Sequence, residues 1–61
     1  MNFGQVWSAL MQGHSIRRAA WESVTRMYLH EGLLFQQRGK GEPYAYSLDG
    51  FEIAATDWAI C

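Results

Sequence analysis

The chain offers few residues with the spacing that covalent chemistry needs. Its two histidines, His14 and His30, stand in no pattern that metal ligands use. His14 follows Gly13 and His30 sits beside the expected Glu31-Gly32 turn, so each reads as a solvated turn residue rather than a base. Ser8, Ser15, Ser23 and Ser47 occupy no nucleophile-elbow context. Gly39-Lys40-Gly41 is too short to cradle a phosphate in the manner of a P-loop and reads as a flexible connection. Cys61 is the single cysteine, so no internal disulfide is expected and one thiol builds no metal site. The expectation is a protein with no catalytic residue, no metal and no cofactor, and not an enzyme.

Binding chemistry is better supplied. Trp21, Tyr28, Tyr44, Tyr46 and Trp58 offer flat faces on which a nucleobase could stack. Arg17, Arg18 and Arg26 lie close in sequence to Trp21 and Tyr28, and their planar guanidinium forks suit phosphate. The net charge of −1 argues against DNA or RNA as the partner. Charge is unevenly placed: residues 1–41 carry +3 and residues 42–61 carry −4. Two readings follow: the ends pair within or between chains, or a local basic pocket receives a small anion. The aromatics likewise have a plain reading as core residues of a small sheet.

The elements that would position these groups are visible in the spacing. Asn2 and Gln5 form a capping-box pair, and Phe3, Val6, Trp7, Leu10 and Met11 fall on one helical face. Gly13 suits the left-handed conformation that ends helices, so a helix is expected over 3–12. Strands are expected over Ser15–Ala19, Arg26–His30 and Leu33–Gln37, with residues 20–25 a loop around Trp21. Arg17 and Arg18 then point to opposite faces. Glu31-Gly32 supplies a two-residue turn that sets Tyr28 opposite Phe35 and Leu29 opposite Leu34, leaving apolar groups on both faces. After the loop from Arg38 to Pro43, Tyr44–Leu48 and Phe51–Ala55 flank Asp49-Gly50, a strong hairpin signal. That hairpin would bury Tyr44, Tyr46, Leu48, Phe51 and Ile53 on one face. Trp58–Ile60 closes the set as a last strand.

These elements define an α+β fold: one domain over 1–61, with a short N-terminal amphipathic helix packed on a small antiparallel β-sheet. A chain of 61 residues buries only about 60% of the surface that its unfolded form exposes. Such domains generally need a staple, and without disulfide or metal the remaining one is self-association. The apolar content of 49% and aromatic content of 15% exceed what so small a core requires, which also points to an oligomer. No apolar run nears the roughly 20 residues of a membrane span and no signal peptide is visible, so no membrane partner is expected and a reducing cytoplasm is the simplest location.

Four segments in order carry a resemblance: Met1-Asn2-Phe3-Gly4 with the helix to Gly13, Arg18-Ala19-Ala20-Trp21, Met27-Tyr28-Leu29, and Ala55-Thr56-Asp57-Trp58. Together they resemble a small phage and prophage domain, the second Thoeris anti-defence family. Members are oligomeric sponges that capture cyclic nucleotide immune signals such as glycocyclic ADP-ribose. Some relatives capture the cyclic oligonucleotides of the parallel CBASS defence. Typical members have a longer segment before the closing Asp-Trp than the Pro43–Thr56 stretch here.

The resemblance implies a non-enzymatic sponge that holds its ligand uncleaved, as a homo-oligomer (dimer or tetramer) in the bacterial host cytoplasm. It matches Arg18, Trp21, Asp57 and Trp58 to family positions. With the residue reading, it makes Arg17, Arg18, Trp21, Arg26, Tyr28, Asp57 and Trp58 the candidate ligand-binding set. Trp21 and Tyr28 would contact base or ribose, and the three arginines would contact phosphate at a subunit interface. Arg18 and Asp57 have a second reading, as a pair that ties the first strand to the last. The alternative function is a protein–protein adaptor with no nucleotide ligand.

Overall fold

The computed structural model describes all residues, Met1–Cys61. Helix α1 (Phe3–Met11) begins as the sequence predicts: the Asn2 side chain accepts from the Gln5 amide at 2.9 Å, and the Gln5 side chain accepts from the Asn2 amide at 2.9 Å. These reciprocal bonds satisfy two backbone donors that a helix start leaves free. The helix ends one residue early, and Gly13 takes the expected left-handed conformation at φ 95°.

Five strands follow: β1 (Ile16–Arg18), β2 (Thr25–His30), β3 (Leu33–Arg38), β4 (Tyr44–Ala45) and β5 (Trp58–Ile60). They form one antiparallel sheet in the order β4-β3-β2-β1-β5. Glu31 and Gly32 both have positive φ, at 52° and 80°, the conformation that a two-residue hairpin turn demands. The register sets Tyr28 against Phe35 and Leu29 against Leu34, as their spacing predicts.

The second expected hairpin does not exist. Asp49 sits in extended backbone and caps a helix, α2 (Gly50–Ala54). Its carboxylate accepts from the Glu52 amide at 2.8 Å, and the Glu52 carboxylate accepts from the Asp49 amide at 3.3 Å. Asp-Gly suits a tight turn, but Asp followed three residues later by Glu is also a capping-box signal, and here it prevails. Within α2 the expected burial is thereby inverted, although Tyr46 and Leu48 pack against the core as expected. Phe51 is 90% exposed and Ile53 points to solvent, while Glu52 is buried. Strand β4 shrinks to two exposed residues.

Val6, Leu10, Ile16, Met27 and Trp58 make the core, between α1 and one face of the sheet. Each fully buried large side chain contributes roughly 1.5–3 kcal/mol relative to exposure. The α1 stripe is turned from its expected centre: Val6, Ala9 and Leu10 are buried, whereas Trp7 and Met11 are exposed. The chain leaves the sheet at edge strand β4 and re-enters at the opposite edge, β5. The connection crosses the helix-covered face, where Tyr46, Leu48 and Ala55 pack against the core. The other face, carrying Arg17, Arg26, Tyr28, His30, Leu33 and Phe35 by strand alternation, has no element over it.

Candidate ligand-binding surfaces

Strand alternation separates the candidate residues. Ile16 and Met27 face the core, so Arg18 lies on the helix-covered side with Trp58, its partner across the β1–β5 ladder. Arg17, Arg26 and Tyr28 lie on the open side. Trp21 packs beside Trp58 and Tyr46 on the helix-covered side, so within one chain the sheet stands between it and Tyr28.

Two of the three arginines are committed within the fold. Arg18 Nε donates to Asp57 Oδ1 at 2.8 Å. The hydrogen bond holds the guanidinium pKa above its ordinary value and pulls the Asp57 carboxyl below its own. Asp57 Oδ2 also accepts from the Ala20 amide at 3.1 Å. This is the structural reading of the pair. Arg17 Nη2 donates to the Trp21 carbonyl at 2.8 Å, and its Nε is buried without a partner. Arg17 thus secures the loop that carries Trp21. Trp58 is core: its indole Nε1 donates to the Glu52 carbonyl at 2.9 Å, and the rings of Phe3 and Trp21 each meet it edge-on with centroids 5.4 Å away.

Arg26 is exposed. Its guanidinium lies 5.4 Å from the Tyr28 ring centroid, and Nη2 donates to Gln37 Oε1 at 3.0 Å. Tyr28 stacks on Phe35 with centroids 6.1 Å apart and planes 22° apart, and His30 meets Phe35 edge-on at 6.2 Å. Tyr28, His30, Phe35 and Pro43 line a shallow cleft of about 260 Å³. A cation beside a stacked aromatic pair can receive a flat, anionic molecule by stacking and charge together.

A second cavity, which no sequence motif marks, lies on the helix-covered side. It holds about 280 Å³ between Trp21, Glu22, Thr25, Gln36, Arg38 and Tyr46. Trp21 and Tyr46 meet edge-to-face, with centroids 6.0 Å apart and planes 77° apart. Tyr46 is anchored by donating its hydroxyl to Glu52 Oε2 at 2.6 Å. Burial and that carboxylate push its phenol up to about 12. The one available signal for this cavity was register: Gln36 lies opposite core residue Met27, so its amide must be buried.

No cluster of three or more His, Cys, Asp or Glu side chains is placed to hold a metal ion. No helix is long and apolar enough to cross a membrane. No family model matches the chain, and no curated protein matches it.

Proposed function

We propose that this protein binds and sequesters cyclic nucleotide immune signals without cleaving them, as a homo-oligomer in the bacterial cytoplasm. The observation that carries this reading is the open sheet face, where Arg26 lies over Tyr28 and Tyr28 stacks on Phe35. The four ordered segments that resemble the Thoeris anti-defence sponges support the same reading. Only 9 of 61 residues are buried in the single chain, so a second copy has apolar and aromatic surface to cover. A crevice between copies would supply further walls for the ligand. A sponge must hold its ligand with a dissociation constant below the signal concentration, and nanomolar affinity corresponds to about −12 kcal/mol. Charge-assisted bonds and stacking in a crevice shielded from water are suited to that.

The test is calorimetric titration of the purified protein with cyclic dinucleotides, cyclic trinucleotides and cyclic ADP-ribose isomers, followed by heating and analysis of what is released. Saturable binding and recovery of the intact molecule are expected. Recovery of a degraded nucleotide would make the protein an enzyme. No binding across the panel would end the proposal.

An adaptor role is favoured by one other feature. Trp7, Leu10, Met11, Gly13, Leu29 and Gly32 line an apolar groove of about 480 Å³. Aromatic residues and Met are enriched where proteins dock. Recovery of one host protein in stoichiometric complex, lost on Trp7→Ala, with no nucleotide bound, would select the adaptor.

A further inference from the structure

We propose that the cavity between Trp21 and Tyr46 is a binding site for an uncharged flat heterocycle whose edge carries both a hydrogen-bond donor and an acceptor. The floor carries the argument. Thr25 is 4% exposed and Gln36 is 3% exposed. The Gln36 amide receives the Tyr44 hydroxyl at Oε1. Its nitrogen has no partner in the chain, nor has the Thr25 hydroxyl, and both residues line the cavity. The only fully enclosed side-chain polar atom without a partner is Arg17 Nε, so these two floor groups keep access to the cavity. A donor and a hydroxyl that line one cavity, open to it and without a partner in the chain, can bond a guest that offers the matching edge.

The walls define the rest of the guest. Trp21 and Tyr46 present aromatic surface, which favours a ring. Both are fixed before anything binds. The Trp21 amide donates to the Arg18 carbonyl at 3.0 Å and its carbonyl accepts from Arg17. The Tyr46 amide donates to the Leu34 carbonyl at 3.0 Å and its hydroxyl is held by Glu52. A preformed site avoids the cost of ordering its walls on binding. The volume, about 280 Å³, suits one ring system and not a whole dinucleotide. Arg38 and Glu22 stand at the same cavity with opposite charge and neither is in an ion pair, so net charge on the ring itself gains nothing. The chemistry is that of a nucleobase or a comparable lactam. The assignment deepens the sequestration reading, and rests on it only in taking a nucleotide as the carrier of the ring.

The site is tested on the full chain with adenosine, guanosine and cytidine, with ribose 5-phosphate and inorganic phosphate as ringless probes, by calorimetry and amide NMR. At least one nucleoside is expected to shift the Trp21 indole and Gln36 side-chain amide signals. Gln36→Leu and Thr25→Val are each expected to weaken it at least tenfold, because a site built around hydrogen bonds rejects a mismatched edge strongly. Because these variants alter buried positions and could fail to fold, the wild type supplies a second readout. The signals of Arg38, exposed at the same cavity, are expected to shift on adding nucleoside. Arg38 signals that stay still while a nucleoside binds would refute the site. Equal binding of the ringless probes would refute the site. So would ring-induced shifts confined to Arg26, Tyr28 and Phe35, or silence from all three nucleosides. The two proposals fail separately. Cyclic nucleotide capture that survives Gln36→Leu but not Tyr28→Ala removes the cavity and keeps the sponge. Nucleosides seated in the cavity, with no cyclic nucleotide retained, keep the cavity and remove the sponge.

Discussion

Arg18 Nε donates to Asp57 Oδ1 at 2.8 Å across 39 positions of sequence. The same aspartate receives the Ala20 amide at its other oxygen, and its carbonyl receives the Ala19 amide at 2.9 Å. One residue therefore fixes the end of β1, the start of the Trp21 loop and the approach to β5.

Removing this tie should lower the melting temperature. Arg18→Ala and Asp57→Ala are expected to act alike, and the double variant should lose less than the sum of the two. The pH dependence has a definite sign. Asp57 has a folded pKa below its ordinary value, so its stabilisation is present above the usual carboxylate range and is lost as pH falls through the lowered value. Melting temperatures of wild type and Asp57→Asn, measured from neutral to acid pH, should begin to converge near the ordinary carboxylate value of about 4 and meet once pH has passed the lowered folded value. A gap that stays constant into strong acid would contradict the pairing.

Helix α2 depends on a two-residue cap. Asp49→Ala should cost about 1 kcal/mol in denaturant titration. Glu52→Ala should cost more, roughly 1–3 kcal/mol, because it also removes the charged acceptor of the part-buried Tyr46 hydroxyl. If Asp49→Ala proved neutral, the cap would not be what holds α2.

The Tyr46 phenol is pushed up to about 12 in the folded protein. A raised phenol pKa gives stability that is complete below the unfolded value near 10 and is lost as pH rises through the folded value. Alkaline unfolding should therefore begin between about pH 10 and 12. Ultraviolet titration should show a late phenolate step that Tyr46→Phe removes; its persistence in the variant would assign the step elsewhere.

Glu31 holds a left-handed conformation at φ 52° without being glycine. Such a conformation costs an L residue roughly 1–2 kcal/mol, and Asn tolerates it better. Glu31→Asn is expected to raise stability by up to about 1 kcal/mol. Gly32→Val, at φ 80°, should lower it by roughly 1–2 kcal/mol. Chemical denaturation of both variants checks the turn.

Arg26 is the arginine of the open face with its charge still exposed. Arg26→Ala should weaken cyclic nucleotide capture about tenfold, as expected for one charge-assisted bond, with little change in melting temperature. The wild-type affinity should also fall more steeply with salt than that of the variant. An unaltered affinity would take Arg26 out of the site.

Local signals were legible wherever one short segment decides its own conformation. Asn2 with Gln5 announced α1, Glu31-Gly32 announced the central hairpin, and alternation put Arg17 and Arg18 on opposite faces. Asp49-Gly50 misled because the same dipeptide serves a turn and a helix cap. The choice fell to Glu52, whose side chain is held by Tyr46 and whose carbonyl is held by the Trp58 indole. Neither partner is a neighbour in sequence. The candidate site suffered likewise. Arg17, Arg18 and Trp21 cluster along the chain, yet two bonds within the fold engage both arginines, and Gln36 and Thr25 carry no motif at all.

The amino-acid sequence by itself determined the element types near the N-terminus, the central hairpin with its register, and a high content of aromatic residues. Those follow from backbone preferences and side-chain periodicity, which act within a few residues. Only the tertiary structure decided which aromatics form the core, which arginines stay exposed, and which polar groups end unpaired at the bottom of a cavity. Those depend on how distant segments meet across the sheet, and burial and pairing arise only where they meet.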